Sequence, residues 1–263
     1  MANVHGFSDL ERGEAGTSSV PPDSLWGSLT AVFCPRFAYK SVSFGSIVLY
    51  ILLFFLFHLI SWATGIYYSC ILYYVGALYP PDLLRFHLHR LVLPTFYHAD
   101  TMHLFSNLLG TFFLCFSVEY ELGSKKFLIL YLGSSVYGYI LSAAAKPYAL
   151  GVGASAGLMG VLGYFVICIL FGLQRMNNRN YAIFAVLVFL NIFIILVSPG
   201  GNFYGHFGGV LSGSLWSLML VEARSDLTNP KRIAKIALIG FPSVCLIWFL
   251  LQRVRYEPIC TYS

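Results

Sequence analysis

Seven apolar runs dominate this chain, near residues 43–64, 102–120, 126–145, 150–172, 180–198, 203–221 and 233–251. At a rise of ~1.5 Å per residue, each is long enough to cross a hydrocarbon layer about 30 Å thick. Inside lipid, backbone N–H and C=O groups must find partners within the protein, so unbroken runs of this kind form helices. Composition agrees. The chain is 58% hydrophobic and 10% charged, whereas soluble domains carry roughly 25% charged residues. The expected fold class is an all-α, polytopic helical bundle in a membrane, with the lipid bilayer as its first partner and no nucleic-acid partner.

The basic residues set an orientation. With the N-terminus on the cytoplasmic side, that side holds Arg12, Arg36, Lys40, Lys125, Lys126, Arg175, Arg179, Arg224, Lys231, Arg232 and Lys235. The outer side holds Arg85, Arg90, Lys146, Arg253 and Arg255, so eleven of the sixteen lie inside. The positive-inside rule then favours an inner N-terminus and an outer C-terminus, the reverse of a seven-helix receptor. No apolar stretch follows Met1, so no cleaved signal peptide is expected.

The chain divides into a polar, disordered cytoplasmic tail (1–40), a six-helix core (41–222), and a linker, seventh helix and short outer tail (223–263). Five of the six connections are short. The exception, 65–101, is rich in Tyr and His and broken by Pro80, Pro81 and Pro94. It reads either as short amphipathic helices half-sunk in the interface or as a folded outer loop with a purely structural role. The six cysteines show no CxxC or metal-ligand spacing. Four of them lie in or beside apolar runs and read as small core residues, no disulfide framework is expected, and Cys34 is placed for S-palmitoylation.

Polar groups inside spans are costly and face a bundle interior or a wet cavity. Three clusters stand out: His98, His103, Ser106 and Asn107 at span 2, Ser155 in span 4, and His206 in span 6. His103 and Asn107, four apart, share a helix face. Spans 2, 4 and 6 run in the same direction, which places these groups roughly 2–9 Å below the outer ends, on a common level. Each residue also has a plainer reading. Gly153 with Gly157, and Gly209 with Gly213, are small-xxx-small packing pairs. Asn107 can tie helices together, and a lone His206 can be structural. His98 and His103 are five apart, on different faces, with no HExxH pattern, so no metal is expected.

Taken together, the motifs resemble those of the rhomboid intramembrane serine proteases. The quoted segments are Gly153-Ala-Ser155-Ala-Gly157 opening span 4, Gly205-His206-Phe-Gly208-Gly209 with Gly213 in span 6, and His103-Leu-Phe-Ser-Asn107 in span 2. Arg90, eight residues before His98, matches an arginine of the loop after span 1. Glu119 in "VEYELGS" matches a glutamate-and-glycine element ending span 2. The resemblance runs from about 85 to 215, and a seventh helix after the core is similar to the 6+1 layout of secretory-pathway members. Four positions depart from the pattern: Ala156 for Gly, Met159 for an aromatic, Gly205 for Ala, and His89 for Trp.

The resemblance implies a serine endopeptidase without cofactor or metal, in the secretory pathway or plasma membrane. It would cut single-pass transmembrane proteins in or near their membrane helix. Ser155 would be the nucleophile and His206 its base, with no acidic third member; Asn107, the Ser155 N–H and His103 would hold the oxyanion. The four glycines would bring spans 4 and 6 together, and Met159 would lie under the imidazole. The loop 198–204 would cap the cavity. Two alternatives stay open: a rhomboid-like protein that binds transmembrane helices without cutting them, and a transporter.

Overall fold

In the computed structural model the described residues are 40–170, 202–220, 230–252, 255 and 260. The polar tail, the apolar run at 180–198 and the linker before the last helix lie outside them, as do residues 198–201 of the capping loop. The described chain is helical: α1 (Val42–Thr64), α2 (Tyr68–Tyr74), α3 (Pro80–Leu83), two 3₁₀ turns (Leu88–Leu91 and Leu93–Phe96), α4 (Thr101–Gly110), a π turn (Thr111–Cys115), α5 (Phe116–Leu122), α6 (Ser124–Ala145), α7 (Ser155–Leu170), α8 (Phe203–Leu220) and α9 (Pro230–Leu251). Among the described residues, four helices are long and apolar enough to cross a membrane: α1, the continuous α4-to-α5 segment, α6, and Ala234–Leu251 of α9. The protein is therefore an all-α polytopic membrane bundle.

Local chemistry explains the helix ends. Ser41 caps α1, its Oγ accepting from the Phe44 N–H at 3.1 Å, and Gly65 ends it in the left-handed region at φ 70°. Asp100 caps α4 by accepting from the His103 N–H at 2.9 Å. Glu119, buried near the end of span 2, accepts four hydrogen bonds: from the Val42 and Ser43 N–H groups (2.8 Å each), Ser43 Oγ (2.6 Å) and Ser124 Oγ (2.6 Å). One carboxylate thus satisfies the open N-terminus of α1 and clips it to the start of α6.

The main core lies among α1, the π turn, α6 and α7, around Tyr50, Phe54, Leu114, Leu130, Leu158, Val161 and Phe165. A second cluster joins Leu78 and Leu83 of the outer loop to Tyr139 and Ala143 of α6 and Phe249 of α9. Loop 65–101 is folded, with short helices around its own interior. Arg90 is buried there; its Nη1 donates to the carbonyls of Tyr73 (2.8 Å) and Ala77 (2.7 Å), and its Nη2 pairs with Asp82 at 3.0 Å. Its guanidinium also lies 4.6 Å from the Tyr73 ring centroid. Tyr67 and Phe86 on the same loop stay exposed.

The cysteine reading needs correction. Cys115, Cys168 and Cys245 are buried free thiols, but Cys70 and Cys260 form a disulfide across 190 residues. Cys70 sits in α2 and Cys260 beyond α9, so no short spacing announces the pair. Two further contacts hold the same end of α9: Gln252 Nε2 donates to Ala144 O at 2.7 Å and the Arg255 N–H to the Tyr148 hydroxyl at 3.2 Å.

Glu119→Gln keeps the volume but removes the charge. It is expected to destabilise the bundle by about 1.5–3 kcal/mol, the range for a hydrogen bond to an ionised group. Thermal unfolding in detergent micelles measures this, and an unchanged midpoint contradicts the role given to Glu119.

Candidate active site

The serine does not lie inside a helix, as the apolar run from 150 suggests; it opens one. Residues 150–154 are non-helical. Leu78 and Gly151 pair there through two 2.9 Å backbone bonds, which holds the segment extended against the outer loop. Gly153 follows at φ 121°, a conformation that side-chain-bearing residues rarely adopt. Then α7 begins at Ser155, with the Leu158 N–H bonded to Ala154 O at 3.1 Å. The first N–H groups of a helix have no intrahelical acceptor and carry its positive dipole end. The Ser155 N–H is therefore a preorganised donor.

His206 occupies the matching place on α8. The Asn202 side chain caps that helix, its Oδ1 accepting from the Gly205 N–H at 3.1 Å, and the His206 N–H bonds Asn202 O at 3.0 Å. A Cβ on Gly205 would come 2.7 Å from Asn202 Nδ2, so glycine at 205 goes with this capping side chain. His206 Nε2 and Ser155 Oγ are 2.9 Å apart. When Nε2 is unprotonated, the serine hydroxyl donates to it. His206 Nδ1 has no hydrogen-bond partner among the described residues. Asp100 is engaged at the α4 cap.

Small residues set this distance. A Cβ on Gly209 would press on the Ala156 carbonyl and lie 2.9 Å from Met159 Cβ; one on Gly213 would strike the Gly160 backbone; one on Gly163 would lie 2.8 Å from Ser214 N. The close stripe between the two helices is therefore Ala156, Gly160 and Gly163 on α7 against Gly209 and Gly213 on α8. Two glycines expected in that stripe serve elsewhere. Gly157 faces α6, where a Cβ would meet Ser135 Oγ at 2.7 Å and Tyr131 at 2.8 Å, and Gly153 faces α4. Met159 is buried beside Gly209, one turn from His206.

His103 and Asn107 share a face of α4, as their spacing predicts. Asn107 Nδ2 donates to His103 O at 3.0 Å, leaving its second N–H. A Cβ on Gly153 would collide with the His103 imidazole and lie 3.7 Å from Asn107 Nδ2. The two polar groups thus converge on the segment just before Ser155. His98 packs against His103, with ring centroids 5.3 Å apart at 73°. Burial, and secondarily the neighbouring His103, pushes His98 down to about 3, so its ring is neutral at physiological pH. Among the described residues no group of three His, Cys, Asp or Glu side chains has metal-site geometry. Arg90 and Glu119 lie away from these atoms and brace the loop and the helix ends.

Sequence reasoning placed the span at 126–145 but missed what its side chains do at the site. Tyr139 hydroxyl donates to Gly153 O at 2.7 Å, Tyr131 hydroxyl lies 3.5 Å from Ala154 O and 2.6 Å from the Tyr50 hydroxyl, and Asn202 Nδ2 donates to Ser142 Oγ at 2.9 Å. Tyr131, Ser135, Tyr139 and Ser142 are spaced four, four and three apart in a largely apolar run that also holds Ser134 and Tyr137. That polar stripe was the available signal.

A hydroxyl and an imidazole in contact at one end of a helical membrane bundle, beside amide and imidazole donors, have the composition of a membrane-embedded serine hydrolase site. A model of the rhomboid domain matches residues 85–223, just over half of the chain, which therefore belongs to the rhomboid family. It is 36% identical over 146 residues to Rhomboid-like protease 3 of Toxoplasma gondii, covering 53% of this chain and 54% of that protein. It is 34% identical over 184 residues to Rhomboid-like protease 1 of the same organism, covering 66% and 63%. Similarity extends to the putative rhomboid protease YdcA of Bacillus subtilis, 26% identical over 136 residues, 51% of this chain and 68% of that one.

Gly153→Ala is expected to lower stability by about 1–3 kcal/mol, the cost of a strained backbone conformation, because the methyl group must also displace His103. Thermal unfolding tests this; a variant that melts like the wild type contradicts the placement of Gly153.

Proposed function

We propose that this protein is a serine endopeptidase that cuts peptide bonds in or near the membrane helix of single-pass transmembrane proteins. The 2.9 Å contact between Ser155 Oγ and His206 Nε2 carries the proposal. Ser155 Oγ attacks the scissile carbonyl carbon while its proton passes to Nε2. The tetrahedral intermediate collapses, the C–N bond breaks, and the leaving amine takes the proton from Nε2. An acyl ester on Ser155 remains. Water then attacks it, His206 again accepting a proton and returning it to Oγ. The developing oxyanion is held by the Ser155 N–H and Asn107, with His103 beside them. The reaction is a dyad's: Asp100 is engaged at the α4 cap, and His206 Nδ1 has no partner among the described residues.

A peptide bond within a helix is shielded by its own hydrogen bonds. Substrates carrying Gly, Pro or Ser near the cut, where a helix opens readily, fit best. Orientation has two supports. The basic residues favour an inner N-terminus, and the Cys70–Cys260 disulfide needs both the 65–101 loop and the chain end on one oxidising side. The site then opens toward the outer face, with the protein in the secretory pathway or plasma membrane.

Co-expression with type I membrane reporters is the test. Wild type is expected to release a product, and Ser155→Ala or His206→Ala, at equal expression, none; cleavage surviving Ser155→Ala overturns the assignment. Asn107→Ala is expected to slow cleavage by roughly tens- to a thousandfold, the span for one oxyanion donor, and an unchanged rate removes Asn107 from the hole. For the orientation, a protease site placed in the linker 223–229 is cut after extraction with thiols blocked. The two fragments are expected to migrate as one species until reductant is added; separation without reductant contradicts the disulfide and that support for the outer C-terminus.

A further inference from the structure

We infer that Tyr139 is a positioning residue for the reaction: its phenol holds the Gly153 carbonyl out of the oxyanion site, an inference that rests on the protease reading above. The Gly153 peptide groups are fixed on both sides. Its N–H donates to Pro94 O at 2.9 Å, and its carbonyl accepts from the Tyr139 hydroxyl at 2.7 Å. The α-carbon between them abuts His103 and Asn107, the donors available to an oxyanion. At φ 121° glycine has ready access to other backbone conformations. Without the phenol, a rotated Gly153 carbonyl becomes a competing acceptor beside those donors, and the entry angle of Ser155 into α7 is no longer set.

The phenol is well suited to this task. Tyr139 is only 2% exposed, and its ring packs in the cluster with Leu78 and Ala143, so the hydroxyl is held rigidly. The same helix steadies the other partner. One turn on, Ser142 holds the Asn202 cap of the helix bearing His206, and a Cβ on Gly138 would lie 2.5 Å from Gly205 O and 2.8 Å from Ala156 Cβ. The face of α6 that contains Tyr139 therefore touches the entry to both reacting helices. Tyr137, two residues away, supplies a control: it is also buried and stacks on Phe241, but its hydroxyl has no hydrogen-bond partner among the described residues.

The experiment compares wild type, Tyr139→Phe, Tyr137→Phe and a variant with p-aminophenylalanine at 139, which restores a donor at the same place. Each full-length protein is purified, and rates are expressed per active site titrated with a fluorophosphonate, so unfolded material does not count. For Tyr139→Phe, kcat is expected to fall about tenfold or more with KM within about twofold of wild type. Tyr137→Phe should match wild type, and p-aminophenylalanine should return kcat to within about threefold of it. A Tyr139→Phe enzyme with wild-type kcat overturns the inference. So does p-aminophenylalanine performing no better than Phe, which would make the role one of packing. If Tyr139→Phe does not fold, the p-aminophenylalanine protein decides alone: near-wild-type kcat supports the role and a Ser155-labelled but slow enzyme overturns it. Wild type that cuts no reporter is a different failure, because it removes the protease reading itself.

Discussion

Backbone-to-backbone contact between α7 and α8 holds the site together. Side chains normally keep helix axes about 8–10 Å apart. Here Gly209 and Gly213 of one helix meet Ala156 and Gly160 of the other with no room for a Cβ on either glycine. In lipid, where apolar burial alone does not drive helices together, this packing is a main source of association. Ser155 and His206 lie just before those contacts on their respective helices. Their separation is therefore set by backbone geometry, and no third side chain is needed to bring the two together.

The remaining architecture keeps that contact in register. Helix α6 is wedged against both α7 and α8 and binds the Gly153 carbonyl before one and the Asn202 cap of the other. Glu119 anchors the opposite end of α6 to α1 through buried charged hydrogen bonds. On the far side, Arg90 and Asp82 stiffen the outer loop, whose Leu78 pairs with Gly151 just before Ser155. The disulfide joins this loop to the end of α9. A rigid loop thus constrains the segment through which the chain enters α7.

Much of this could be read before any coordinates. Apolar runs locate helices because the bilayer admits few alternatives, and the spacing of His103 and Asn107 put them on one face because a helix repeats every 3.6 residues. Polar groups at a common depth pointed to residues that lie near one another, as Ser155 does to His206 and Gly153 to His103. Other features escaped for physical reasons. Hydropathy does not distinguish a helix from the apolar segment leading into it, so α7 was expected to begin five residues early. Gly157 was assigned to the wrong neighbour because small-residue spacing identifies a packing face but not what it faces. The Cys70–Cys260 pair depends on a long return of the chain and leaves no local pattern. Tyr131 and Tyr139 did leave one, a polar stripe at helical spacing, which is informative wherever a membrane helix carries phenols inward.

The most direct measurement is mass spectrometry of the protein after exposure to a fluorophosphonate in lipid bicelles. Only a serine deprotonated by a neighbouring base reacts readily with such a probe. The account predicts a single adduct on Ser155, absent from His206→Ala at equal folded yield. No adduct on the wild type, or an adduct formed equally without His206, would contradict the central claim that the helix contact creates an activated serine.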